Sequence, residues 1–144
     1  MDQPDKSMEL RAAFLRESPS VLPGTVWREA QDGASMEYPQ RSPVLGALTV
    51  GFGGDEIIVF VGPRGHHTHF AVDESPPGTA AEQVREAARA ALSFVRDVVE
   101  DRLSVRLGLL VSGVHSVRRG TSVAGRVWKC LTPWVRERVW SGRS

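Results

Sequence analysis

The chain has 144 residues, 18 Lys+Arg against 17 Asp+Glu, 41% hydrophobic and 24% charged positions, and a formal net charge of +1. These are the values of a soluble globular protein, and the length fits one domain, residues 1–144, burying about two-thirds of its unfolded surface. No apolar run approaches the roughly 18–20 residues that span a bilayer. The start, MDQPDKSMEL, has neither the basic nor the apolar region of a signal peptide, and Cys130 as the one cysteine excludes an internal disulfide. A cytoplasmic location is expected.

Arginine outnumbers lysine sixteen to two, which fits a GC-rich bacterial genome. The near-zero net charge conceals a division. Residues 1–101 carry nine Lys+Arg against sixteen Asp+Glu, a balance of −7, and residues 102–144 carry nine against Glu137 alone, a balance of +8. Such asymmetry marks either two halves that neutralise each other when packed or a surface for nucleic acid or an acidic partner.

In chain order, Met8, Ala12 and Leu15, with Leu10 and Phe14 beside them, predict a short amphipathic helix ending before Pro19. Asp32-Gly33 between Thr25–Ala30 and Ala34–Tyr38 is a two-residue hairpin signal. Val44, Leu48, Val50 and Phe52 alternate with smaller residues up to a turn at Gly53-Gly54. Ile57–Val61 is apolar on both faces, as in a central strand covered on two sides. A third strand is expected over His66–Asp73, completing an antiparallel meander.

Thr79–Arg102 carries the plainest pattern. Thr79 and Glu82 form a capping box after the breaker Ser75-Pro76-Pro77-Gly78. Val84, Ala87, Ala88, Ala91, Leu92, Val95, Val98, Val99 and Leu103 then recur at three- and four-residue steps. Val105, Leu107, Leu109 and Val111 alternate as a half-buried strand, and another strand is expected within Val123–Leu131. Thr132-Pro133 would start a short terminal helix through about Trp140. The expected fold is α+β: an antiparallel meander packed on one long helix, about 80–102, with short N- and C-terminal helices.

Two clusters could carry function. On a strand His67 and His69 share a face, and with His115 as a third ligand they could hold a divalent transition metal. Asp73 and Glu74 are further candidates for that ligand. No HExxH or Cys/His framework accompanies them, so solvent-facing histidines are the competing reading, and a proton-sensitive surface is another. In the tail, Trp128, Trp134 and Trp140 alternate with Arg126, Lys129, Arg136, Arg138 and Arg143. Tryptophan and arginine suit a protein interface, and they also suit stacking and phosphate contacts with nucleic acid. The competing reading is that the indoles close a small core.

No phosphate-binding loop or nucleophile elbow is present, and Cys130 beside Lys129 and Leu131 reads as packing. With no complete catalytic constellation and no cofactor expected, the sequence points to a non-enzymatic protein-binding module such as an adaptor, inhibitor or immunity-type neutraliser. Its contact residues would be Trp128, Trp134, Arg136, Arg138 and Trp140. The alternatives are a metal-dependent enzyme at His67 and His69 and a nucleic-acid binder using the basic C-terminal third. Homodimerisation through the outer sheet face is a further expectation, and no membrane partner is expected.

Overall fold

A computed structural model describes residues 5–62, 66–73, 78–107, 113–115 and 136–142; for 106–107, 113–115 and 136–137 it describes the backbone alone. The fold is α+β, in the order α1 (Lys6–Val21), β1 (Arg28–Glu29), β2 (Met36–Glu37), β3 (Leu48–Gly53), β4 (Glu56–Val61), β5 (His66–Ala71), α2 (Ala80–Val99), β6 (Ser104–Leu107), β7 (Gly113–His115) and β8 (Arg136–Arg138). Strands β3 to β5 form the expected antiparallel meander, β1 and β2 extend it to five strands in sequence order, and β7-β6-β8 form a second antiparallel sheet. No described helix is long and apolar enough to cross a membrane.

The organising helix begins where its capping box places it. Thr79 Oγ1 accepts from the Glu82 N–H at 3.3 Å, and the Glu82 carboxylate accepts from the Thr79 N–H at 2.8 Å. Its buried stripe is Val84, Ala87, Ala88, Ala91, Leu92, Val95 and Val98, in the same cluster as Ile57, Val59 and Val61 of β4. Alanine brings the α2 backbone close to α1 and the sheet, and the valines and leucine fill what remains. Val95 is fully buried, so a carboxylate introduced there would sit in the core without a partner.

The N-terminal helix is longer than expected and uses a different face. It runs 16 residues through Pro19 to Val21, and its buried positions are Leu10, Ala13, Phe14, Glu17 and Ser18. Met8 and Leu15 stay exposed. Proline removes one helical donor, but tertiary anchoring holds the last turn. The Leu22 N–H donates to the Ser18 carbonyl at 2.8 Å, Ser18 Oγ accepts from Trp27 Nε1 at 2.8 Å, and Leu22 is buried. Phe14 sets the helix phase, its ring meeting Trp27 and Phe52 edge-on at 4.9 and 5.5 Å. Glu17, nearly buried, accepts from Arg89 Nε of α2 at 2.6 Å and ties the two helices together.

The expected terminal helix is not formed over its second half. Residues Arg136–Arg138 are extended and pair with β6, Val105 opposite Arg138 and Leu107 opposite Arg136. Ladder bonds to an adjacent strand outweigh the local cap signal, whose residues Thr132 and Pro133 lie outside the described residues, as does the strand expected within Val123–Leu131. The strand expected from Val44 begins at Leu48, because Ser42 and Gly46 bridge each other in a tight loop and leave Val44 exposed. The Asp32-Gly33 turn is wider than two residues: the Ala30 N–H donates to the Ser35 carbonyl at 2.9 Å across the loop.

Two tests follow from these local structures. Gly62 has φ +80°, and a Cβ there would lie 2.7 Å from the Leu45 carbonyl oxygen. Gly62→Ala is expected to destabilise the fold by at least about 1–2 kcal/mol, measured by urea unfolding. Donation by the Ser35 N–H and hydroxyl and the Ala34 N–H lowers the pKa of Asp32, and donation by the Thr79 N–H and hydroxyl lowers that of Glu82. Both folded values lie below the unfolded ones. Their stabilisation is therefore present above the ordinary carboxylate range and lost as pH falls through the depressed values. An Asp32→Asn/Glu82→Gln variant should melt below wild type at neutral pH, with the gap closing in acid. A gap independent of pH contradicts this.

Candidate functional site

The helices α1 and α2 both lie on one side of the five-stranded sheet, and strand alternation decides what each side receives. Toward the helices point Leu48 and Val50 of β3 and Ile57, Val59 and Val61 of β4, all with no exposed surface. In register with them on β5 are His66, Thr68 and Phe70. Toward the outer side point Thr49 and Gly51 of β3, Glu56, Ile58 and Phe60 of β4, and His67 and His69 of β5. Ile58 and Phe60 are half-buried, and among the described residues no helix covers them. The expectation that β4 is covered on two sides is thus met on one.

The histidine run divides between the two faces. His66 is buried on the core side opposite Val61. His67 and His69 share the outer face as their spacing requires, with ring centroids 4.9 Å apart and edge to face. His69 Nδ1 donates to Glu56 Oε2 at 2.9 Å, since an ionised carboxylate only accepts. The His67 ring lies 5.6 Å from that of Phe60, whose edge covers Gly51; a Cβ on Gly51 would lie 3.4 Å from Phe60 Cε2. The result is a flat platform, aromatic and aliphatic in the middle with imidazole and carboxylate beside it.

The third metal ligand named from the sequence, His115, is on β7, and its side chain lies outside the described residues. Glu74 lies outside them too, and Asp73 is exposed just past the end of β5. Among the described residues no group of three or more His, Cys, Asp or Glu is placed to hold a metal ion. A groove of about 560 Å³ between α1 and α2 is lined by alanines and Val84 together with Glu9, Glu17, Glu82, Arg16 and Arg85. Of its carboxylates, Glu17 is held by Arg89 and Glu82 by Thr79, and among the described residues no Ser, Thr, Cys or His lines it as a nucleophile.

Of the tail residues, Trp128 and Trp134 lie outside the described residues. Arg136 and Arg138 pair with β6 through their backbones, and the Arg138 side chain is half-buried. Trp140 was expected at a contact surface, but only 6% of it is exposed. Its ring ends an edge-to-face row through Tyr38 and Trp27 to Phe14, 5.9 Å from Tyr38. Ser42 Oγ donates to its carbonyl at 2.6 Å. The next residue, Ser141, donates to Asp101 through its N–H at 2.8 Å and through its hydroxyl. Asp101 takes the left-handed conformation, φ 58°, at the end of α2.

The sequence reading named the outer sheet face but did not assign Ile58, Phe60 and Glu56 to it. Their signal was present in the doubly apolar β4, and sequence alone does not say which side the helices take. Comparison of the chain with protein-family models, curated proteins and solved structures gives no match. The buried position of Trp140 predicts that Trp140→Ala costs about 3–5 kcal/mol in denaturant unfolding. A change within 0.5 kcal/mol would instead mark an indole that contributes nothing to the core.

Proposed function

We propose that the protein is a non-enzymatic protein-binding module of the adaptor, inhibitor or immunity-neutraliser kind. It recognises another polypeptide through the outer face of the five-stranded sheet and the C-terminal segment. The observation that carries this reading is that, among the described residues, helices cover one side of the sheet alone. Ile58 and Phe60 are held half-exposed on a rigid central strand whose opposite side is fully buried. Apolar side chains on a fixed frame, rimmed by polar groups, are the anatomy of a protein interface.

The chemistry of the face indicates the partner class. Glu56 is engaged with His69, and Glu37 lies opposite Arg28 in the same register, so the charges are balanced locally. Carboxylates on the platform oppose phosphate, which favours a polypeptide with an apolar, nearly neutral contact surface over nucleic acid.

The test is site-specific photo-cross-linking in cells that make the protein. A benzophenone amino acid replacing Phe60 is expected to form adducts with a second polypeptide, its own copy included. The same group replacing Glu86, on the exposed side of α2, should form none. Equal adducts from both positions, or none from position 60, overturn the proposal.

A further inference from the structure

We infer that the imidazoles of His67 and His69 hold a divalent transition ion of the Zn²⁺ or Cu²⁺ type on the outer sheet face, with Glu56 positioning His69 for it. Three observations carry this: the separation of the two rings, the tautomer that Glu56 imposes, and the exposure of both histidines.

Ring separation comes first. Residues two apart on β5 point to one side, and pairing with β4 along the whole strand keeps their backbone fixed. A metal–nitrogen bond of about 2.0–2.1 Å, with about 1.15 Å from nitrogen to ring centre, puts each ring centre about 3.2 Å from a shared ion. The ring centres of His67 and His69 are 4.9 Å apart. The angle at the ion is then about 100°, between about 90° for a square-planar site and about 109° for a tetrahedral one. The 68° between the ring planes is compatible with this. Ligation fixes the direction of each nitrogen, and torsions of two exposed side chains supply it.

Glu56 sets the chemistry of His69. Its Oε2 accepts from His69 Nδ1 at 2.9 Å, so the ring proton is on Nδ1 and the lone pair is on Nε2. Metal-ligating histidines regularly donate their second nitrogen to a carboxylate in this way, which orients the ring and raises its basicity. The same carboxylate puts negative charge beside the cation. In His67, as in any neutral imidazole, donation at one ring nitrogen leaves the lone pair of the other for an ion.

The donor set selects the ion. Imidazole suits Zn²⁺ and Cu²⁺, whereas Mg²⁺ takes carboxylate, carbonyl and water oxygens. Among the described residues no third His, Cys, Asp or Glu completes the set. The other coordination positions therefore go to donors from solution, and the ion is exchangeable.

The experiment is calorimetric titration of the full chain, stripped with a chelator and desalted, with zinc, copper(II) and magnesium chlorides in turn. Zn²⁺ and Cu²⁺ are expected to bind one per chain, Cu²⁺ the more tightly, and Mg²⁺ not at all. His67→Ala and His69→Ala should each weaken Zn²⁺ binding by about tenfold or more, at least what the loss of outer-shell support costs. Glu56→Ala should weaken it by about tenfold. Glu56→Gln should recover most of that loss, because its amide oxygen accepts the same N–H. Nitrogen-15 NMR of the wild-type rings gives a reading that does not depend on how the variants fold. Zn²⁺ should shift Nε2 of His69 and one ring nitrogen of His67, with Nδ1 of His69 still protonated. No binding of either transition ion overturns the inference, as does Zn²⁺ affinity unchanged in both histidine variants or matched by Mg²⁺. A Glu56→Gln variant no better than Glu56→Ala overturns the positioning role of Glu56. An ion needs no partner polypeptide, so the adducts from position 60 decide the docking-face proposal separately.

Discussion

The packing of α2 against the sheet is the constraint on which the rest of the structure depends. Ala87, Ala88 and Ala91 let the helix backbone approach closely, and Leu92, Val95 and Val98 reach the buried side of β4. Full burial of each larger side chain contributes roughly 1.5–3 kcal/mol as an upper estimate. A few such contacts equal the whole net stability of an ordinary domain. The capping box fixes where the rod starts, and the Glu17–Arg89 pair fixes where α1 lies beside it. With both helices committed to one side, β3, β4 and β5 present their alternate residues on the other.

This division explains why apolar residues appear on both faces of β4. The strand is central, so its backbone is paired on each edge, and its core-facing residues Ile57, Val59 and Val61 are locked in place. Ile58 and Phe60 therefore sit on a platform that does not need to rearrange, which reduces the ordering cost of binding. At the far end the C-terminal segment is tied down by β8, by Trp140 at the end of the aromatic row, and by the Asp101–Ser141 and Ser42–Trp140 hydrogen bonds. The described end of the tail thus contributes first to the fold, with Trp140 buried and the Arg138 side chain half-buried.

Local chemistry was legible in the sequence where it acts alone. The capping box at Thr79, the stripe of α2 and the shared face of His67 and His69 follow from spacing and conformational preference, and the turn expected at Gly53-Gly54 falls one residue later, at Gly54-Asp55. What sequence could not supply was the outcome of competition between local and long-range interactions. Pro19 reads as a helix end, yet burial of Leu22 and the Trp27–Ser18 bond carry α1 past it. Thr132-Pro133 reads as a helix start, yet pairing with β6 draws Arg136–Arg138 into a strand. Trp140 has the composition of an interface anchor and the position of a core residue, and only its neighbours Tyr38 and Ser42, about a hundred positions upstream, decide between them. Which residues of β4 form the outer platform was open for the same reason: alternation defines two faces, and tertiary packing chooses which one the helices cover.

One side of the sheet is dry, and on the other Ile58 and Phe60 stay half-exposed without a helix over them among the described residues. Paramagnetic relaxation of side-chain NMR signals by a soluble gadolinium chelate measures this directly on the full chain. Strong enhancement at Ile58, Phe60, His67 and His69, with protection of Ile57, Val59 and Val61, is the predicted result. Protection of Ile58 and Phe60 equal to that of Val59 in dilute solution would contradict it, since the platform would then already be covered by the chain itself.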